Sequence, residues 1–389
     1  MAQQMSPGQH GSECIHDNAQ SHLPPYVDCD SAGFRNDRSN LTLKFSSDFE
    51  KAQKAMEFCS DVCAVYFPAD LDVVFNSEIE NELAVDICEW RFFPCFSESL
   101  KRLAISMSRL SSLQIDLSYE RRTLLHHHLV WIFLMDEVCE RLPLLGLHDT
   151  MERKYLENLK NITMDLPIED LNQYKGICPD DLLQVALDVQ KILAEDLMPL
   201  KRALLEESHV QKCSETLCLF FDNQYEEGKI FFKRPTTHQI MSTRGYTIGT
   251  NMVFLLFLQT PMVDLYNADD PGLVQLSILV ALFHDFIGLQ KDLDSLKQDC
   301  DGSVGLNLVR VSMQESGHDE KEALQTVVRR LNSYCHGLEF FMSAYTPLCK
   351  QLYQEILKFV FALYDYHLLG ATESSNSRYG WHRVSDYKA

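Results

Sequence analysis

From about residue 48 onward, apolar residues recur every three to four positions, the spacing that stacks them on one face of a helix. Segment 97–112 (SESLKRLAISMSRLSS) has this spacing and opens on a serine able to cap a first turn. Segment 116–142 predicts a long helix in which polar YERR gives way to LVWIFLM. Its C-terminal part is apolar on all sides, which suits the middle of a bundle. PDDLLQVALDVQKILAEDL (179–197) starts with proline and two acids, a favourable helix N-terminus. Further helices are expected over 203–232, 237–259, 270–298, 318–344 and 348–370. Alternation of period two is scarce and Asn-Gly turns are absent, so the expected fold class is all-α. Residues 1–45 are polar and aperiodic and read as a flexible segment. No later linker is long enough to divide the chain, so 46–389 is expected to form one helical domain.

Composition narrows the partners. With 389 residues and 46% hydrophobic content, a sizeable core is available. A formal net charge of −21 argues against nucleic acid or an anionic membrane, because both select basic surfaces. An anionic substrate would need bound cations or a locally basic site. The 13 cysteines are odd in number and scattered, which predicts reduced thiols and a cytoplasmic location. CSDVC (59–63) would set two thiols one helical turn apart, but no second pair at zinc spacing follows. The opening MAQQMSPGQHGSECIHDNAQ lacks the apolar core of a signal peptide. No apolar run is expected to span a bilayer.

Four stretches carry candidate chemistry. In WIFLMDEVCER (131–141), an apolar run meets Asp136, Glu137 and Glu140. Asp136 and Glu140 share a helix face, with Glu137 beside them. Such a cluster is either a helix end facing water or a hard-cation site, since Mg2+ takes one or two carboxylates plus substrate phosphates. Acids near a helix C-terminus oppose the macrodipole, which weakens the first reading. In LFHDFIGLQKDLDS (282–295), His284, Gly288 and Asp292 are spaced i, i+4, i+8, while Asp285 and Asp292 align at i, i+7. Again an apolar run leads in, and an ordinary amphipathic helix turning polar is the competing reading. RGYTIG (244–249) is a Gly-flanked helix break carrying an arginine. SRYGW (377–381) offers Arg378 as a bidentate phosphate clamp and Tyr379 as a donor, unless both are solvated loop residues.

In that order on an all-helical chain, these stretches resemble the class I terpene synthases (terpene cyclases) over roughly residues 60–382. MDEVCE resembles the family's aspartate-rich metal motif, with Asp136 leading and Glu140 as co-ligand. HDFIGLQKD is similar to its second metal motif at His284, Gly288 and Asp292, with Asp285 as a ligand in a shifted register. The family's Asn, Ser and Glu are replaced there by His, Gly and Asp, so Gly288 brings no side-chain oxygen. RGYTIG resembles the diphosphate-sensing break, with Arg244 as sensor, Thr247 as linker and the Ile248 carbonyl as effector. Arg378 and Tyr379 match the terminal pair that closes on diphosphate.

The resemblance implies a single helical bundle around a central apolar cavity. It also implies three Mg2+ ions and a linear prenyl diphosphate bound with help from Lys291. The C20 substrate is favoured and C15 also fits, and the carbocation left after ionisation is cyclised. Phe93, Trp131, Phe133 and Phe254 are the expected aromatic lining, because ring faces stabilise cations. Monomer and homodimer both remain open, and the cysteine content and Gly288 resemble animal, octocoral-like members. Two other readings compete: a chain-elongating prenyl diphosphate synthase, which would need a second DDxxD, and a non-catalytic helical protein with a decayed site.

Overall fold

The computed structural model describes residues 42–66, 73–231, 235–296, 303–344, 346–372 and 384–385. A strand β1 (Thr42–Ser46), a helix α1 (Phe49–Phe58) and a strand β2 (Val62–Tyr66) come first, then α2 (Ser77–Glu89), α3 (Glu98–Ser106) and α4 (Ser108–Ser111). The bundle proper begins with α5 (Tyr119–Leu144) and α6 (Arg153–Thr163), followed by α7 (Asp180–Ile192) and α8 (Met198–Leu204). It continues through α9 (Glu207–Phe231), α10 (Thr237–Thr247), α11 (Thr250–Phe257), α12 (Thr260–Val263) and α13 (Pro271–Leu296). Helices α14 (Leu308–Ser316), α15 (Glu320–Ala344) and α16 (Pro347–Thr372) and a short strand β3 (Val384–Ser385) complete the order.

The predicted cap of α3 is in place, and α5 has one that was not predicted. Ser97 accepts from Leu100 N at the start of α3, and Ser118 accepts from Arg121 N at the start of α5. Such a cap contributes about 1 kcal/mol. The helix read as apolar on all sides and the helix carrying the second apolar run are both central: α5 packs on α7, α9 and α11, and α13 packs on α10, α15 and α16. Phe283 of α13 stacks on Tyr364 of α16 with ring centroids 3.7 Å apart. The first 19 residues of α13 (Pro271–Leu289) do have the length and hydropathy to cross a membrane, contrary to the expectation that no run would. Because 83% of that window is buried by neighbouring helices, it is the core helix of the bundle.

Three strands were not expected. They form a parallel sheet in the order β2-β1-β3, with Thr42↔Val62 to Ser46↔Tyr66 in register and Leu43↔Val384 on the other side. Thr42–Ser46 thus lies in a strand although residues 1–45 were read as flexible; the rest of that segment, 1–41, falls outside the described residues. A strand in an all-helical chain has an edge to satisfy. Side chains of α15 satisfy it: Asn332 accepts from Tyr66 N and donates to the Ala64 carbonyl, and Gln325 donates to that of Val62. The sheet also separates the CSDVC thiols, since Cys59 follows α1 and is exposed whereas Cys63 is buried in β2.

Candidate metal centre

Helix α5 carries Asp136 and Glu140 to its C-terminal end, where a left-handed Gly146 (φ 70°) turns the chain into a single π-helical turn, His148–Glu152. That turn, read from sequence as part of a linker, packs back onto α9. Gly228 makes the approach possible, because a Cβ there would lie 2.6 Å from His148 ring atoms. Asp136, Glu140, Glu152, Gln224, Glu227 and Arg244 consequently line one narrow cleft, with Cys139 at its wall. Burial pushes the Cys139 thiol well up, and the carboxylates of Glu152, Asp136, Glu140 and Glu227 push it further.

Arg244 joins this cleft to the second motif. Its guanidinium lies 3.6 Å from Glu227 Oε1 and 3.4 Å from Asp285 Oδ1. Burial works against its charge, but Asp285, Glu227, Asp136 and Asp292 together raise its pKa above the ordinary value. One arginine therefore sits in the field of acids from α5, α9 and α13. Glu227, which carried no motif signal, is buried; that burial raises its carboxyl pKa, opposed by Arg244 and by a hydrogen bond from Thr247. The break that positions Arg244 is real: α10 ends with Ile248 N donating to the Arg244 carbonyl at 3.2 Å, and Gly249 follows at φ 77°. A Cβ at Gly249 would lie 3.1 Å from Ile132 Cγ2, so the break packs directly on the apolar half of WIFLMDEVCER.

On α13, Asp285 is fully buried. Burial would raise its pKa, yet Arg244, His284 Nδ1 and the Leu308 backbone N–H (2.9 Å) hold it below the usual carboxylate range. Asp292 accepts from Asn307 Nδ2 at 2.8 Å, and the same amide group donates to the Asp285 carbonyl oxygen at 3.0 Å. Asn307 is also the N-cap of α14. At Gly288, a Cβ would stand 3.8 Å from both Asp292 carboxylate oxygens and 3.9 Å from His284 Cε1, so the spacing i, i+4, i+8 does converge.

Other expected residues lie elsewhere. Glu137 is exposed and pairs with Arg141 at 3.6 Å, on the helix face turned away from the cleft. Trp131 is fully buried and donates from Nε1 to the Val189 carbonyl, which commits it to the α5–α7 contact. Phe93 is half-buried on an outer turn under Lys101, and Phe254 is buried against Phe359. Phe133 is partly buried against the core. Arg378 and Tyr379 lie outside the described residues, as does the Lys291 side chain. Among the described residues no three His, Cys, Asp or Glu side chains are gathered closely enough to cage a metal by themselves.

A family model described as terpene synthase family 2, C-terminal metal binding, matches residues 128–336, more than half of the chain. The chain belongs to this family. It is a terpene synthase, a lyase of the all-α class I fold. The 2-methylisoborneol synthase from Streptomyces coelicolor A3(2), crystallised with Mg2+ and 2-fluoroneryl diphosphate, superposes with a TM-score of 0.58 at 14% identity, over 81% of this chain and 96% of that one. Germacradien-4-ol synthase from Streptomyces citricolor superposes with a TM-score of 0.51 at 14% identity, over 77% and 96%. At such identities the likeness concerns the fold. The metal-binding description agrees with the donor set of the cleft, whose carboxylate and amide oxygens suit a hard divalent cation.

Proposed function

We propose that this terpene synthase ionises a linear prenyl diphosphate, the C20 substrate in preference to C15, and cyclises the resulting carbocation. The observation that carries this reading is the convergence of Asp136, Glu140 and Arg244, more than a hundred positions apart in sequence, on one cleft. Asp136 and Glu140 would hold Mg2+ at the α5 rim, and His284, Asp285 and Asp292, with the gap at Gly288, would serve the α13 rim. Mg2+, three ions in this reading, would supply charge that stabilises the leaving diphosphate. Arg244 would meet that diphosphate, supported by its ion pairs with Glu227 and Asp285. Ile248 caps the helix that carries Arg244, and in this reading its carbonyl would act as effector. Arg378, Tyr379 and Lys291 belong to the proposal through their motifs.

The cleft leaves only about 20 Å³ open to the centre of a water-sized sphere. Small-molecule sites typically occupy roughly 300–1,000 Å³, so the hydrocarbon chain would have to lie outside this cleft. A larger groove lined by Phe257, Leu258 and Met262 lies beside Asp116, at the other end of α5 and about 25 Å from Asp136. Its distance from the acids excludes it as the reaction site. The unpaired thiols of the described residues support a reducing, cytoplasmic setting.

The test is incubation of purified protein with Mg2+ and C10, C15, C20 or C25 diphosphates, with and without isopentenyl diphosphate, followed by gas chromatography. Cyclic products from the C20 diphosphate without isopentenyl diphosphate are expected. Longer diphosphates formed only with isopentenyl diphosphate would instead establish chain elongation, and no turnover of any of them would establish a decayed site.

A further inference from the structure

Two oxygens in the cleft have no motif to explain them. Gln224 is 7% exposed and Glu152 1%, both line the cleft, and Gln224 Oε1 and Glu152 Oε1 are buried without a hydrogen-bond partner. They face the same strip of α9: Glu152 Oε1 lies 3.4 Å from where a Cβ of Gly228 would be, and Gly228 is one turn from Gln224. The other Glu152 oxygen is fixed, since Oε2 is 2.7 Å from His148 Nδ1 and the His148 ring stacks on Tyr225 at 4.6 Å. Glu152 is thus presented rigidly, with one oxygen left over.

Around these atoms are further acceptors, the carboxylates of Asp136, Glu140 and Glu227. Among the described residues, Arg244 is the cationic side chain lining the cleft, and it is engaged by Glu227 and Asp285. Two buried, unbonded acceptor oxygens facing one small space select a cation over a neutral molecule. The opening of about 20 Å³ for a water-sized centre admits one small ion or one water, which needs roughly 10–15 Å³ by that measure. Mg2+ and Mn2+ bind through one or two carboxylates and keep several waters, so a cage of three protein donors is not required.

We propose that Glu152 and Gln224 hold a hard divalent cation, Mg2+ or Mn2+, in the substrate-free protein, at the α9 wall of the cleft. Neither residue belongs to the aspartate-rich stretch or to the 284–292 stretch. The site stands whatever prenyl diphosphate the enzyme consumes, because its ligands are all on this chain.

Full-length protein stripped with a chelator and titrated with Mn2+, followed by electron paramagnetic resonance and without any diphosphate, tests this. One Mn2+ should bind and be displaced by Mg2+. Glu152→Gln and Gln224→Leu should each weaken binding at least tenfold, and Gln224→Glu, which adds a charge and keeps the shape, should tighten it several-fold. Asp136→Asn should abolish turnover yet leave the stoichiometry at one. Binding that appears only after diphosphate is added, or an affinity unchanged by Gln224→Glu and Glu152→Gln with helical circular dichroism intact, would overturn the proposal and leave a bound water in place of the ion. Failure of the product assay would not affect this result, since no substrate is present.

Discussion

The ends of α5 and α13 were built to the same recipe, an apolar run ending in acids, and they have met different fates. On α5, Asp136 and Glu140 line the narrow cleft and are only partly buried. On α13, Asp285 and Asp292 are buried and bound by Arg244, the Leu308 N–H and the Asn307 amide. Burying a carboxylate is tolerable only when donors replace its water, and α14 begins where it can supply them. The contrast teaches that acid clusters identical in pattern divide into a face that meets ligands and a face that also holds the bundle together.

Breaking that contrast should have its largest effect at Asp136. Asp136→Ala is expected to lower turnover by roughly 10²–10³-fold or more with helical circular dichroism unchanged; activity that persists would remove the metal role of the α5 rim. Arg244→Met should act on both regions at once. It would cost activity and also leave Glu227 and Asp285 buried beside an apolar side chain, for a loss of about 3–5 kcal/mol in chemical denaturation. A variant as stable as the parent would show that the two acids do not depend on the arginine.

A smaller effect comes from pH. The Glu152 carboxyl is pushed up to about 7, mainly by burial and against the pull of His148. A carboxyl whose folded pKa is raised binds its proton more tightly in the folded state, so the stability it contributes is full below its ordinary range and is lost as pH rises through about 7. In metal-free buffer the thermal midpoint should fall by a few degrees between pH 5 and 7.5, and Glu152→Gln should flatten that fall. The smallest effect is expected at Gly288→Ser. The added Cβ has 3.8 Å of clearance from Asp292, so Tm should hold within a degree or two while the Mg2+ concentration for half-maximal rate drops. A large loss of Tm would mean that the position is packed.

The sequence displayed the two central helices because their apolar runs are long and end abruptly in charge. It displayed the break at RGYTIG because glycine marks the left-handed residue that stops α10. It hid β2 because VCAVY is buried on both faces and therefore shows no alternation. Glu227 and Gln224 were hidden for another reason: in mid-helix, each looks like an ordinary polar residue of an exposed face. The one cue was their neighbour Gly228, a helix-weakening residue whose absence of a side chain admits the π turn bearing His148 and Glu152. Trp131 and Glu137 misled because a helical repeat identifies faces without saying which neighbour each face meets.

The small parallel sheet joins distant parts of the chain. Strand β3 (Val384–Ser385) lies on the far side of β1 from β2. Val384 is paired with Leu43 of β1, so residues more than three hundred positions apart share one sheet. Deleting residues 42–46 would take away the strand that both β2 and β3 pair with, so one short deletion would dissolve the whole sheet.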